Sequence, residues 1–206
     1  MSLSDTLTEF QSAAAQCDSL IANAHMNDSS GVPLLPLIDR QQITTAGFLN
    51  LFISWETFLE EALCKLMTGL PTISGNAPTR YVHPPTKEFA HSLVVGVNRY
   101  FDYSNHDYVR KIALLFFQHG YPFESTLGSI SQDLADMKTI RNASAHLTSS
   151  TQTPLESLAQ RLFSTPQLGI TLYDLLTRPD PSTPGSTMFS MYKNKLLTAA
   201  EMIANG

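Results

Sequence analysis

The sequence is poor in cysteine and in charge of either sign. Two cysteines among 206 residues, Cys17 and Cys64, are too few for a disulfide framework or a four-ligand zinc site, so a reducing cytosol is the simplest expectation. Charged residues make up 15% of the chain, and 13 Lys and Arg against 18 Asp and Glu give a net charge of −5. This balance excludes a polycation that binds nucleic acid through bulk charge, so an RNA contact requires a local patch.

Long hydrophobic runs and glycine-rich motifs are absent as well. The longest apolar stretches, within residues 47–53 and 112–117, fall short of the roughly 18 apolar residues that a membrane span needs. Residues 1–9 lack the basic and apolar regions of a secretory signal, so we expect a cytoplasmic protein with no membrane partner. The isolated glycines form neither a phosphate-binding loop nor a Gly-x-Ser-x-Gly elbow, which argues against a serine hydrolase.

The residues that are present favour one compact helical domain. Hydrophobic residues make up 43% of the chain, which excludes intrinsic disorder, and the length suits a single domain over residues 1–206. Apolar residues recur at steps of three and four nearly everywhere, and no two alternating strands flank a turn signal. The sequence therefore predicts an all-α bundle.

One predicted helix is much longer than the others. It begins with Asp39 as N-cap, ends near Met67, and is apolar around most of its circumference, as expected of the central helix of a bundle. Another begins at Thr153, where a capping box with Glu156 and a proline at the first helical position mark a helix start. The remaining predicted helices cover about 3–24, 86–100, 105–120, 125–145, 172–176 and 189–203. Thr86 is the candidate N-cap of the second of these, and Ser104 or Asn105 is that of the third.

One short motif, Arg141-Asn142-Ala-Ser-Ala-His146, carries chemistry. Arg141 lies four residues after Met137 on the apolar stripe, where a guanidinium needs a carboxylate or a phosphate partner. Asn142 and His146 are one helical turn apart and about 100° around the helix from Arg141. A single site uses all three if the arginine reaches across, or if two copies of the helix meet at a two-fold axis.

These three residues suit the cleavage of RNA. His146 can take the proton from a ribose 2′-hydroxyl, Arg141 can hold the phosphate and its developing charge, and Asn142 can orient either group. DNA lacks the 2′-hydroxyl and would be inert. A structural alternative stays open, in which the motif is a buried polar network that pairs Arg141 with Glu56 or Asp136.

At this motif the chain resembles the HEPN superfamily, whose mark is Arg-x4–6-His, often with Asn directly after the Arg. The aromatic and acidic sequence over residues 48–63 is similar to the corresponding helix of the RiboL-PSP-like bacterial branch, and the likeness covers about 40–147. It implies a bundle of four to five core helices, here with a C-terminal helical extension over about 153–206. It also implies a homodimer that joins two motifs and a metal-independent endoribonuclease, without cofactor, that leaves a 2′,3′-cyclic phosphate.

The family resemblance implies biological roles as well. Such proteins often serve as toxins or anti-phage effectors, so an antitoxin or regulatory protein is a further partner to expect. The toxin group that pairs with nucleotidyltransferase antitoxins has a tyrosine two residues after the histidine, where this chain has Thr148. Some members are non-catalytic, which keeps open a nucleotide-, RNA- or protein-binding module.

Other ionisable residues are weighed against simpler interpretations. Glu56 is a candidate second acid that clamps Arg141 or His146, whereas Glu60 and Glu61 more often mark the solvated face of an amphipathic helix. The five other histidines form no i,i+4 pair and no His-Glu-x-x-His motif, so we expect no metal site. The nearest approach to a basic patch combines residues Arg99, Arg110 and Lys111, and we expect weak, salt-sensitive RNA affinity.

Overall fold

The computed structural model describes residues 2–145 and 149–206, and within these ranges every regular element is helical. The predicted all-α class is therefore confirmed. The α-helices in order are α1 (Leu3–Ala24), α2 (Leu37–Thr68), α3 (Lys87–Val95), α4 (His106–Phe116), α5 (Phe123–Ser129), α6 (Ser131–Ala145), α7 (Ser149–Phe163), α8 (Leu172–Thr177) and α9 (Met188–Asn205). A short 3-10 turn covers Gln118–Gly120. No helix in the described part of the chain combines the length and the apolar content that a bilayer crossing needs.

Helix α2 is the long apolar helix that the sequence predicts. The predicted start is wrong, because α2 begins at Leu37 and Asp39 lies inside its first turn, where it is not the N-cap. The helix has 32 residues, and its buried apolar side chains lie between Phe48 and Met67, whereas Leu37 and Ile38 at its start are exposed. Gly69 ends it with a φ of 101°, a left-handed conformation that favours glycine. The Arg80 guanidinium then donates a hydrogen bond to the Met67 carbonyl oxygen at 2.8 Å. A carbonyl at the helix end, which has no intrahelical donor, is thereby satisfied.

The described chain divides into two compact units. The first contains the residues up to Gln11, Ser54–Leu134 and Lys195–Gly206, and the second contains Ser12–Ile53 and Ala135–Asn194. An aromatic cluster fills the core of the first unit, where the rings of Phe10, Trp55 and Phe58 lie with centroids 5.5 to 5.8 Å apart. In the second unit Phe48 and Phe52 stack at 6.2 Å. The expectation of a single HEPN-like domain stays a prediction.

Two predicted helix starts are confirmed by their caps. The Thr86 side chain accepts a hydrogen bond from the Phe89 backbone N–H at the start of α3, and Asn105 does the same for Tyr108 at the start of α4. The predicted end of α3 near residue 100 is wrong, because α3 stops at Gly96, which has a φ of 60°. Gly96 therefore ends α3 although the helical spacing of apolar residues continues beyond it.

The predicted helix over 125–145 is wrong as a single element. The structure divides it into α5 and α6, and Ile130 between them has non-helical dihedral angles of −116° and 22°. The Ser129 hydroxyl donates to the Thr126 carbonyl at 2.8 Å, which satisfies a carbonyl at the end of α5. The apolar spacing continues across this break, which explains why periodicity alone joined the two helices.

The predicted helix start at Thr153 is also wrong, because α7 begins at Ser149 and contains Pro154. The capping box requires Glu156 to turn back to the start of the helix. In the structure the Glu156 carboxylate instead accepts hydrogen bonds from the Gly169 backbone N–H at 2.8 Å and the Gln152 amide at 3.1 Å. A contact with a distant segment replaced the local cap.

Candidate functional site

Helix α6 carries the first two residues of the predicted motif. Met137, Ile140 and Ala143 are fully buried at intervals of three residues, so this face anchors the C-terminal half of the helix in the second unit. Arg141 lies at the border of that face and is half-exposed, and Asn142 is exposed. The arginine is therefore held on a packed helix while its side chain remains accessible.

The Arg141 guanidinium has little to hold it in place. Its Nη1 donates one long hydrogen bond to Asn142 Oδ1 at 3.5 Å. Within the described residues of its own unit, no carboxylate forms an ion pair with it. Because a guanidinium can bind a carboxylate or a phosphate through two parallel hydrogen bonds, this one is available to an anionic ligand.

The buried acid of the same helix, Asp136, forms its ion pair with a different arginine, Arg161. Asp136 is 5% exposed, and its Oδ1 accepts a charge-assisted hydrogen bond from Arg161 Nη2 of α7 at 2.5 Å. The Tyr192 hydroxyl lies 3.5 Å from Oδ2. The structural alternative that pairs Arg141 with Asp136 therefore does not hold in this structure.

The third member of the motif, His146, lies outside the described residues, and so does Thr148. The proximity of His146 to Arg141 and Asn142 stays a prediction. Glu56 belongs to α2 within the first unit, where it is half-buried and its Oε1 is inaccessible to solvent. Its role as an acid that supports the motif also stays a prediction.

The neighbouring acids of α2 have ion-pair partners. Glu60 Oε1 lies 2.8 Å from His91 Nδ1, and Glu61 contacts Lys65 at 3.3 Å and Lys87 at 2.5 Å. Burial by itself raises the pKa of Glu61, but hydrogen bonds from the two lysines outweigh it and leave this pKa below its ordinary value. The sequence predicts a solvated helix face for Glu60 and Glu61, and the structure places both on a partly exposed face of α2 in ion pairs.

A groove of about 400 Å³ begins one helical turn beyond Arg141, and we call it the α6 groove. It lies wholly in the second unit and has walls from α2, α6, α7 and the segment leading into α8. Its lining residues are Gln41, Thr45, Ala143, Ser144, Gln152, Gly169, Ile170, Thr171, Leu172 and Tyr173. Its size falls within the range of small-ligand pockets.

The wall formed by residues 169–174 is fixed by hydrogen bonds. Gln152 Nε2 donates to the Ile170 carbonyl at 3.1 Å, and the Gly169 N–H donates to Glu156. The Gly169 N–H, followed by the Gln152 amide, lowers the pKa of the Glu156 carboxyl, which stays ionised over a wider pH range. Thr171 and Asp174 then form a reciprocal capping box that opens α8.

One lining residue of the groove, Tyr173, belongs to an aromatic pair. The rings of Tyr173 and His25 stack with centroids 5.6 Å apart and planes 8° apart, and His25 Nε2 lies 3.2 Å from the Thr44 hydroxyl. Burial, and then the nearby charge of Arg40, lower the pKa of His25. Both effects favour the neutral imidazole in this position.

The α6 groove leaves no signature in the sequence, because its walls come from four separated segments. One local signal was present, since Thr171 and Asp174 have the spacing of a capping box. That signal indicates where α8 begins, but it does not indicate which residues line the groove. Nothing in the spacing of Gln41 and Thr45 points to a pocket.

The predicted basic patch is weaker than its sequence suggests. Arg110 donates to Glu124 at 2.5 Å and lies 3.6 Å from Asp107, so much of its charge is neutralised. The Lys111 ammonium lies over the Tyr108 ring, 5.7 Å from its centroid. These residues belong to the first unit, whereas Arg141 belongs to the second.

Across the described ranges, no three side chains of His, Cys, Asp or Glu are grouped as a metal site requires. Around the motif, the side chains that bear on a ligand are therefore the accessible guanidinium of Arg141, the exposed amide of Asn142 and the polar lining of the α6 groove. Comparison of the chain with protein-family models, with curated proteins and with solved structures finds no match.

Proposed function

We propose that this chain is a metal-independent endoribonuclease of the HEPN type that cleaves RNA by attack of a ribose 2′-hydroxyl. The observation that supports the proposal is the state of Arg141, which is anchored on a packed helix, is accessible, and has no carboxylate partner among the described residues of its unit. A guanidinium in this state is suited to the scissile phosphate.

The reaction assigns one step to each residue of the motif. His146 takes the 2′-hydroxyl proton, and the 2′-oxygen forms a bond to the phosphorus atom while the bond from phosphorus to the 5′-oxygen breaks. Arg141 donates hydrogen bonds to the non-bridging oxygens, and Asn142 orients the histidine or the phosphate. The departing 5′-oxygen takes a proton from solvent, and the products are a 2′,3′-cyclic phosphate and a 5′-hydroxyl.

The proposal includes partners and setting. The substrate is RNA and not DNA, since the nucleophile is the 2′-hydroxyl. Two copies of the chain bring two motifs together in a homodimer, and an antitoxin or regulatory protein controls a cytoplasmic toxin or anti-phage effector. The homodimer, the controlling partner and the role as toxin or anti-phage effector follow from the family resemblance.

The test is cleavage of a mixed single-stranded RNA in EDTA by the wild type, Arg141→Ala and His146→Ala. We expect the loss of either side chain to reduce the rate by at least about 100-fold, since a positioned acid–base group or an electrostatic contact contributes on that order. Arg141→Lys keeps the charge without the two-bond geometry and should recover only part of the rate.

Two controls make the result specific. His83→Ala removes an exposed histidine of the first unit and should leave the rate unchanged. An RNA with one 2′-deoxy nucleotide should resist cleavage at that position only. Equal cleavage by the wild type and both motif variants, or none by any of them, would end the ribonuclease proposal.

A non-catalytic binding module is the second candidate, and the α6 groove favours it. A binding module would bind a labelled single-stranded RNA without cleaving it, as fluorescence anisotropy can measure. The Arg141→Ala variant should then bind the RNA with lower affinity than the wild type. Cleavage with 2′,3′-cyclic ends would exclude this second candidate.

A further inference from the structure

The α6 groove is lined by uncharged groups. Among its described lining residues there is no Lys, Arg, Asp or Glu, and the polar members are amides, hydroxyls and backbone groups. A groove of this kind does not recognise a phosphate by charge. It suits a neutral ligand that both donates and accepts hydrogen bonds.

Two polar side chains on one wall of the groove have no hydrogen-bond partner in the described parts of the chain. Gln41 and Thr45 are four residues apart on α2, so they lie on the same face one turn apart. By contrast, Gln152 and Gly169 donate hydrogen bonds to Glu156, and the Thr171 hydroxyl donates to Asp174. The Gln41 amide offers a donor and an acceptor, and the Thr45 hydroxyl offers both roles in one atom.

An aromatic ring lies in the same groove. Tyr173 is half-buried, and its stack on His25 fixes the plane of the ring. Protein sites that read unpaired RNA bases combine an aromatic surface with hydrogen bonds to the base edge. The α6 groove contains both kinds of group, and its 400 Å³ are sufficient for one nucleobase.

The groove also has the right position relative to the proposed phosphate contact. Ser144 lines it three residues after Arg141, and side chains three apart on a helix are neighbours with about 5–6 Å between their Cβ atoms. The Ser144 hydroxyl donates to the Arg141 carbonyl at 2.8 Å, so the two residues share one turn of α6. One helical turn is comparable with the distance from phosphate to base in a nucleotide.

We infer that the α6 groove is a subsite for one unpaired nucleobase of the RNA, next to the phosphate held by Arg141, and that Gln41 and Thr45 contact the base edge. This inference rests on the proposed function, since it assigns a base preference to the same RNA substrate. It makes the cleavage dependent on the nucleotide beside the scissile bond.

The test measures binding of the four nucleoside 3′-monophosphates and of ribose 5-phosphate to the full chain by titration calorimetry. We expect one base to bind at least about five-fold more tightly than the weakest, and all four to bind more tightly than the sugar phosphate. Thr45→Val keeps the shape and removes the hydroxyl, and Gln41→Leu removes the amide. Each substitution should lower the affinity for the preferred nucleotide by about three- to ten-fold, which corresponds to the loss of one hydrogen bond.

Gln42→Leu is the matched control, because Gln42 is exposed on the same helix and does not line the groove. It should bind nucleotides as the wild type does. Equal affinity for all four nucleotides and for ribose 5-phosphate, or no effect of Thr45→Val and Gln41→Leu, would overturn the inference and leave phosphate binding alone.

Cleavage assays separate this inference from the proposed function. If the wild type cuts RNA at every base equally and Gln41→Leu does not change the pattern, the base subsite is refuted and the ribonuclease stands. If the wild type cuts no RNA but binds one base selectively through Gln41 and Thr45, the ribonuclease is refuted and the subsite stands. Arg141→Ala should lower the affinity for all four nucleotides and leave the ranking of these affinities unchanged.

Discussion

Two arginines of the second unit differ in what they hold. Arg161 neutralises Asp136, a carboxylate that is 5% exposed, whereas the one side-chain hydrogen bond of Arg141 within the described residues goes to the neutral side chain of Asn142. A buried carboxylate needs its cation, because removal of one partner leaves an unpaired charge in the core. An accessible guanidinium without a carboxylate has no comparable structural role, which supports a role in binding.

This contrast predicts different effects on stability. Arg161→Ala should lower the free energy of unfolding by about 1–3 kcal/mol, since it leaves a buried acceptor unsatisfied. Arg141→Ala should change it by no more than about 0.5 kcal/mol, as is usual for an accessible side chain without a specific partner. Urea denaturation at neutral pH, followed by circular dichroism, measures both variants.

Arg161→Lys serves as the control for charge and should recover part of the loss. A large destabilisation by Arg141→Ala, equal to that of Arg161→Ala, would return the motif to the structural interpretation in which its polar groups stabilise the fold.

At the scale of elements, the contact between α2 and α3 depends on pH. The lowered pKa of Glu61 means that its ion pairs stabilise the folded chain fully above the ordinary value of 4.5. This contribution is lost as the pH falls through the lowered pKa of the folded state, because protonation removes the charge that holds Lys65 and Lys87.

We therefore predict that Glu61→Gln flattens the acid limb of the stability curve. The difference in unfolding free energy between the wild type and the variant should be constant at neutral pH and should shrink below about pH 4.5. Urea denaturation in steps from neutral pH to about pH 3 measures it. Glu9→Gln, at an exposed position of α1, should leave the acid limb unchanged, and a Glu61→Gln curve parallel to the wild type would contradict the assignment.

The elements also show what a single sequence can predict. The long α2 and the caps at Thr86 and Asn105 were predicted correctly because their signals are local: apolar periodicity, or one side chain that accepts one backbone N–H. The break at Ile130 and the early start of α7 were missed. In the second case a tertiary hydrogen bond between Gly169 and Glu156 outweighed a good local signal.

The candidate site divides in the same way. The sequence placed Arg141 and Asn142 on one helix and required a partner for the guanidinium, and the structure puts both on α6. Which acid pairs with which arginine depends on helix packing, so the sequence could not choose Arg161 for Asp136. The α6 groove depends on the packing of four distant segments and left no periodic trace.

At the scale of the whole molecule, few cations are available for RNA. The chain has 13 Lys and Arg against 18 Asp and Glu, and the arginines at 110 and 161 already pair with carboxylates. Bulk attraction to RNA is therefore weak or repulsive, and the proposed RNA complex requires a small number of phosphate contacts. In that proposal, selectivity depends more on the α6 groove than on charge.

The salt dependence of RNA binding tests this distribution of charge. Each phosphate neutralised on a single strand contributes about −0.7 to the slope of log K against log salt. One Arg141 per RNA predicts a slope near −0.7, and a homodimer that places two copies of Arg141 on one strand predicts about −1.4. Anisotropy of a labelled RNA with the His146→Ala protein, at about 50 to 200 mM salt, measures the slope without cleavage. Light scattering on the same sample gives the oligomeric state that each slope requires. A slope steeper than about −3 would mean an extended basic surface, and a slope that Arg141→Ala leaves unchanged would remove this arginine from the RNA contact.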